Sequence, residues 1–240
     1  MKKLIMSAVV WALTAGLSLA GSHSVIRMGT EGAYPPWNYV DDNGEVAGFE
    51  RELGDELCKR AELKCEWVIN DWDSIIPNLV SGNYDTIIAG MSITDERQEK
   101  IDFTSNYTQP DPSSYVAASE GADLSGGIIA AQSNTIQAAY IAGTGATLVE
   151  FATPEETISA VRNGEADAVL ADTSYLNPIV AEDSGLMFAG DKVLIGGGVG
   201  MGIRKSDADL RDKFTAAINS MKADGTLNAL IVKHEIGETF

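Results

Sequence analysis

Residues 79–92, LVSGNYDTIIAGMS, stop a helix at Gly82, turn through Asp85 and enter a short apolar strand that ends at polar residues. Glycine after a helical pattern reads as a helix stop, and an apolar run this short, bounded by glycine, reads as a buried strand. Residues 160–172, AVRNGEADAVLAD, repeat the same order of helix end, glycine, aspartate, buried strand and polar terminus. Two copies of one helix-to-strand unit predict two lobes built alike. Ligands collect at the carboxyl ends of strands in open α/β sheets, so Ser92 and Asp172 are expected on opposite walls of a cleft.

Outward from these units the chain alternates short apolar strands with amphipathic helices. Strands over 25–29, 64–69 and 86–89 flank helices over 49–61 and 74–81. After an interruption at Gln109-Pro110-Asp111-Pro112-Ser113-Ser114, strands over 127–131, 147–151 and 168–171 flank helices over 135–142 and 154–163. Such alternation predicts α/β lobes, each a parallel sheet covered on both faces, and the Pro-, Asp- and Ser-rich loop reads as the boundary between them. Gly196-Gly197-Gly198 lacks the lysine and helix of a phosphate loop and reads as a flexible return crossing. A strand over 199–204 and helices over 208–223 and 226–233, around Asp224-Gly225, close the chain.

Residues 1–20 carry Lys2 and Lys3, an apolar run over 4–13, and small residues leading to Ser18-Leu19-Ala20. This reads as a secretory leader cleaved after Ala20, which predicts an exported, soluble protein. The formal charge of −18 disfavours nucleic acid and anionic lipid as partners. Cys58 and Cys65 are the only cysteines, and in an exported chain so close a pair reads as a disulfide between the end of a helix and the next strand, contributing roughly 2–3 kcal/mol. A metal pair there would lack partners, since the two histidines, His23 and His234, stand at opposite ends of the chain.

Gly90, Ser92 and Arg97 outline an anion grip: a close backbone approach, a hydroxyl donor and a planar fork that matches a carboxylate. The competing reading leaves Arg97 on a solvated helix face with Asp95, Glu96 and Glu99. Gln132-Ser133-Asn134-Thr135-Ile136-Gln137 follows a strand and opens a helix, so Thr135 and Ile136 offer backbone N–H groups to an anion, unless Ser133 or Asn134 merely caps that helix. Asp172 ends its strand as a cation partner or as a helix cap, and Glu31 ends the first strand as a cation partner or a solvated loop residue. Tyr34, Trp37 and Trp72 lie in loops at the same strand ends, as core or as pocket walls. No histidine or free cysteine is placed for nucleophilic chemistry, so these residues together read as recognition of a zwitterion, not as a catalytic centre.

GTEGAYPPWNY, VAGFERELGDELCKR, the Cys58–Cys65 spacing, DWDSIIPNL and MSITDERQEKIDFT closely resemble the periplasmic solute-binding proteins of polar amino-acid ABC importers. Within that family the chain is most similar to lysine/arginine/ornithine and histidine binders, and GTEGAYPPWN also resembles octopine- and nopaline-binding proteins. The resemblance implies the two-lobed type II binding-protein fold, with one lobe from 24–110 plus 199–240, the other from 111–198, and two hinge crossings. It implies that Arg97, Ser92 and the N–H groups of Thr135 and Ile136 hold a ligand carboxylate, Asp172 its amino group, and Tyr34 and Trp72 its side chain. Glu31 stands where cationic amino-acid binders carry an aspartate, and Ala89, Gly90 and Met91 line the floor. Ala89 and Gly90 stand in place of serines, Asn134 of a glycine and Ile136 of a threonine. The implied function is periplasmic capture of an amino acid, foremost lysine, arginine, ornithine or histidine, by a monomer that delivers it to membrane permease subunits, with no cofactor and no metal. Opine binding, a cyclohexadienyl dehydratase-like enzyme and a partner of a membrane receptor are the alternatives on the same fold.

Overall fold

A computed structural model describes residues 25–240; the expected leader and its cleavage after Ala20 lie outside the described residues. The chain enters with β1 (Ile26–Thr30), then forms a small antiparallel sheet of β2 (Ala33–Tyr34), β3 (Asn38–Val40) and β4 (Val46–Ala47). Strands this short carry no readable alternation, so the sequence pattern did not signal them. α1 (Phe49–Arg60) buries Phe49, Leu53 and Leu57, spaced by four on one face, and the Cys58–Cys65 disulfide ties its last turn to β5 (Cys65–Ile69). The expected helix over 74–81 divides into a 3₁₀ turn, Trp72–Ser74, and α2 (Ile75–Val80). β6 (Thr86–Ile87), α3 (Asp95–Lys100) and β7 (Asp102–Phe103) follow.

The chain then crosses to a second sheet at β8 (Ser113–Ala117), a strand hidden in the stretch read as a boundary loop. Ser113 and Ser114 are buried within it, where the ladder to neighbouring strands satisfies their backbone. β9 (Ile128–Gln132), α4 (Ile136–Ala142), β10 (Thr147–Phe151), α5 (Pro154–Arg162), β11 (Ala168–Asp172) and α6 (Thr173–Glu182) lead to β12 (Met187–Val193). The chain returns through β13 (Gly202–Ile203) and ends in α7 (Ala208–Asp224) and α8 (Thr226–Lys233).

The sheets run β5-β1-β6-β13-β7 and β10-β9-β11-β8-β12. β1 lies parallel to β5 and β6, while β13 runs antiparallel to β6 and β7. β9 lies parallel to β10 and β11, while β8 runs antiparallel to β11 and β12. Each sheet is therefore mixed, and its antiparallel strand is the one that arrives from the other lobe. Along β8 and β9 the side chains alternate between two cores: Val116 and Ala130 on one face, Tyr115, Ala117, Ile129 and Ala131 on the other.

The internal echo has a structural cause. Asp85 Oδ2 accepts from Arg27 N at 3.0 Å while Asp85 N donates to Arg27 O at 2.8 Å. Asp167 treats Ile128 identically, at 2.7 Å and 2.8 Å. Each aspartate pins the start of one strand, β1 or β9, to the entry of the parallel strand beside it, β6 or β11. The glycine cluster, expected as a return crossing, also permits close packing. Val199 bridges both Ser92 and Thr108, and a Cβ on Gly198 would stand 2.4 Å from Thr108 O.

Candidate functional site

A cavity of about 360 Å³, including its mouth, lies between the sheets at the carboxyl ends of β1, β6, β9 and β11. From the first lobe, Glu31, Tyr34, Trp72, Ala89, Gly90, Ser92 and Arg97 line it; from the second, Gln132, Thr135, Ile136, Gln137 and Asp172. Met91 is the one expected lining residue that lies elsewhere. It is fully buried in the core beneath and borders a neighbouring apolar groove. Gln132 and Gln137 went unassigned in the sequence, although Gln132 ends its strand as Asp172 ends its own.

α3 turns Asp95, Glu96 and Glu99 to solvent and Arg97 inward, where it is 9% exposed. Thr94 caps the helix by accepting from Arg97 N, and the guanidinium reaches Ser92 O at 2.8 Å and Asn134 O, across the cleft, at 3.3 Å. Among the described residues no carboxylate pairs with it. Burial lowers its pKa to about 10, so it stays cationic at neutral pH. Trp72 packs beside it, with Cζ 5.4 Å from the ring centre.

The acidic groups face the opposite situation. Asp172 holds the N-cap position of α6 without a side-chain capping bond; its Oδ2 accepts from the Tyr34 hydroxyl at 2.9 Å and its Oδ1 from Gln137 Nε2 at 2.7 Å. Burial first, and Asp111 nearby, push its pKa up to about 7. Glu31 is 9% exposed, and its Oε1 accepts from Gln132 Nε2 at 2.6 Å. Burial again dominates, reinforced by Asp71, Asp73 and Glu50, and raises its pKa to about 7. Neither carboxyl has a cationic partner among the described residues within ion-pair distance. A buried cation and two buried acids thus share one cavity without ion pairing among them, a charge pattern complementary to a zwitterion.

Several contacts already join the lobes around the cavity. Tyr34 stacks on Tyr175 at 4.3 Å, and the buried Trp37 donates through Nε1 to Ser174 Oγ at 2.7 Å, which makes Trp37 core. Thr135 is the cap of α4, accepting from Ala138 N and donating to Gln132 O. Ser133 and Asn134, weighed as caps, both donate instead to Asp73 Oδ1 across the cleft, at 2.5 and 2.9 Å. Asn134 holds this position with φ of 56°, a left-handed conformation that asparagine tolerates.

Residues 26–237 match the family model for bacterial extracellular solute-binding proteins, family 3. The lysine/arginine/ornithine-binding periplasmic protein of Escherichia coli is 34% identical, with 98% of this chain and 97% of that protein covered. The L-arginine-binding protein of Pseudomonas aeruginosa is 31% identical, over 94% of this chain and 93% of that protein. Among solved structures, a periplasmic His/Glu/Gln/Arg/opine family-binding protein from Silicibacter pomeroyi, in complex with lysine, is 76% identical. It superposes with a TM-score of 0.86, covering 88% of this chain and 96% of that one. The chain belongs to family 3 of the bacterial extracellular solute-binding proteins.

Proposed function

We propose that this protein is a periplasmic receptor that captures a cationic amino acid, lysine foremost, between its lobes and delivers it to the membrane subunits of an ABC importer. The observation that carries this reading is the unpaired Arg97 guanidinium sharing one cavity with Asp172 and Glu31. In this reading Arg97, Ser92 and the N–H groups of Thr135 and Ile136 hold the ligand carboxylate, and Asp172 its α-ammonium. Tyr34 and Trp72 flank the alkyl stem, and Glu31 meets the terminal cation. Ala89 and Gly90 keep the floor close to the ligand. Among the described residues Glu31 has one carboxylate oxygen, Oε2, without a hydrogen bond, which suits a point-like ammonium better than a guanidinium that wants two oxygens. The lysine complex of the Silicibacter pomeroyi protein supports the same choice.

In this reading the leader over 1–20 directs export, the mature chain acts as a monomer without enzymatic activity, and the lobes over 24–110 with 199–240 and over 111–198 close on the ligand. Thermal-shift measurements across the twenty amino acids, ornithine, citrulline and octopine test it. Lysine a thousandfold above its Kd is expected to stabilise by about 4 kcal/mol, raising Tm by roughly 10 °C. Stabilisation by acidic amino acids alone would refute it.

The Asp73 contacts favour closure over the bound ligand. Ser133→Ala with Asn134→Gly removes both donors while keeping the backbone conformation that glycine adopts freely. Solvent screening at this exposed carboxylate reduces the two hydrogen bonds to about 1–2 kcal/mol together, so lysine release is expected to accelerate about tenfold. Stopped-flow fluorescence showing an unchanged release rate would remove Asp73 from closure.

A further inference from the structure

Glu50 is a buried acid that the ligand reading does not use. It is wholly buried at the start of α1, with no ion-pair partner among the described residues. Three donors converge on it: Gly90 N at 2.7 Å and the Tyr107 hydroxyl on Oε1, and Asn38 Nδ2 at 2.7 Å on Oε2. The orientation of Asn38 is fixed, because its Oδ1 accepts from Gly32 N at 2.7 Å. A carboxylate accepts all three bonds, whereas an amide would turn its N–H₂ against a donor, Asn38 Nδ2 or Gly90 N. Burial pushes its pKa up, and the three donors oppose that rise.

The segments tied together in this way are walls of the cavity. Gly32 follows Glu31, and Gly90 precedes Met91 and Ser92. Both glycines adopt positive φ, 74° and 60°, so each loop needs an anchor for its turn. Tyr107 lies beside the crossing between lobes, its N–H donating to Val199 O at 2.7 Å. We propose that Glu50 is a positioning residue for ligand binding: it holds the Gly90 backbone directly and the Glu31–Gly32 turn through Asn38, and joins both to the crossing through Tyr107. This rests on reading the cavity as the lysine site.

Glu50→Gln preserves the shape but sets its amide N–H₂ against the Asn38 amide. Asn38→Asp combined with Glu50→Gln restores the complementarity: the carboxylate introduced at position 38 accepts from the amide introduced at position 50 and still accepts from Gly32 N, at unchanged total charge. Amide hydrogen exchange of Gly32 and Gly90 in the unliganded protein, followed by NMR, reads the anchoring without any ligand; calorimetric titration with lysine reads its effect on binding. Glu50→Gln is expected to speed exchange at both glycines and to weaken lysine binding, each by about tenfold or more, and the double variant to return both to within about threefold of wild type. A merely structural role would lower Tm without a matched loss and rescue of affinity. Should Glu50→Gln not fold, the double variant decides alone, with near wild-type exchange and affinity supporting the proposal. Wild-type behaviour in Glu50→Gln, or a double variant that misfolds or stays impaired, overturns it. Failure of wild type to bind lysine would overturn the ligand reading, while exchange at Gly32 and Gly90 would still decide the role of Glu50.

Discussion

Arg97→Ala is expected to abolish lysine binding in practice while leaving the empty protein at least as stable as wild type. The two halves have one cause. Among the described residues the buried guanidinium has carbonyl partners only, Ser92 O and Asn134 O, and burial draws its pKa down to about 10. An unpaired buried charge costs free energy, so deleting it from the six-residue α3 removes a desolvation cost along with two hydrogen bonds. With lysine bound, the same deletion strands the ligand carboxylate inside a closed cleft. Breaking a buried pair by removing one partner costs about 3–5 kcal/mol, roughly a hundred- to several thousand-fold in Kd. Arg97→Lys keeps the charge but not the planar fork, and is expected to fall between. Calorimetry and thermal melts with and without lysine check both halves. Arg97→Ala that binds lysine within tenfold of wild type would place the carboxylate elsewhere.

What could be read from the sequence followed from how locally each feature is encoded. The strand over 147–151 and the helix over 226–233 announce themselves through periodicity and flanking glycines, and the structure has them at Thr147–Phe151 and Thr226–Lys233. Asp85 and Asp167 were visible because each stands within a few residues of a helix stop, although their bonds to Arg27 and Ile128 are distant in sequence. β8 was not, since its first residues are serines after prolines, polar in sequence but buried by a ladder formed with distant strands. β12 is mostly exposed, and its pairing shifts register between Ala189 and Val193, which destroys the alternation that would mark a strand. Most cavity residues were legible because strand ends collect ligands, a rule that applied to Gln132 equally and was not extended to it. The bonds from Ser133 and Asn134 to Asp73 span about sixty positions and two lobes, and no local pattern encodes them.

Asp172→Asn is expected to weaken lysine binding by about 2–5 kcal/mol, the cost of leaving the ligand's α-ammonium without a counter-charge in a closed cleft. The fold should tolerate the change, because the amide oxygen introduced there still accepts from Gln137 and the Tyr34 hydroxyl can turn to accept from the new amide N–H. The pH dependence is the sharper test. Burial raises the pKa of both Asp172 and Glu31 to about 7, against roughly 4 in an unfolded chain. Between about pH 4 and 7 the native state therefore binds more protons than the unfolded one, and these two groups make the empty protein less stable as pH rises through that window. Lysine reverses the balance, since its two ammonium groups hold both carboxylates ionised and a proton must leave each acid for it to bind. Below pH 7 the affinity of wild type should thus rise with pH, log Kd falling with a slope approaching about two in magnitude, and level off above pH 8. Asp172→Asn should reduce that slope to about one, as should Glu31→Gln, because each removes one titrating acid. The thermal shift produced by lysine should likewise be larger at pH 8 than at pH 5.5 in wild type. A variant lacking Asp172 that kept the full wild-type slope would show that the ligand's α-ammonium is held by another group.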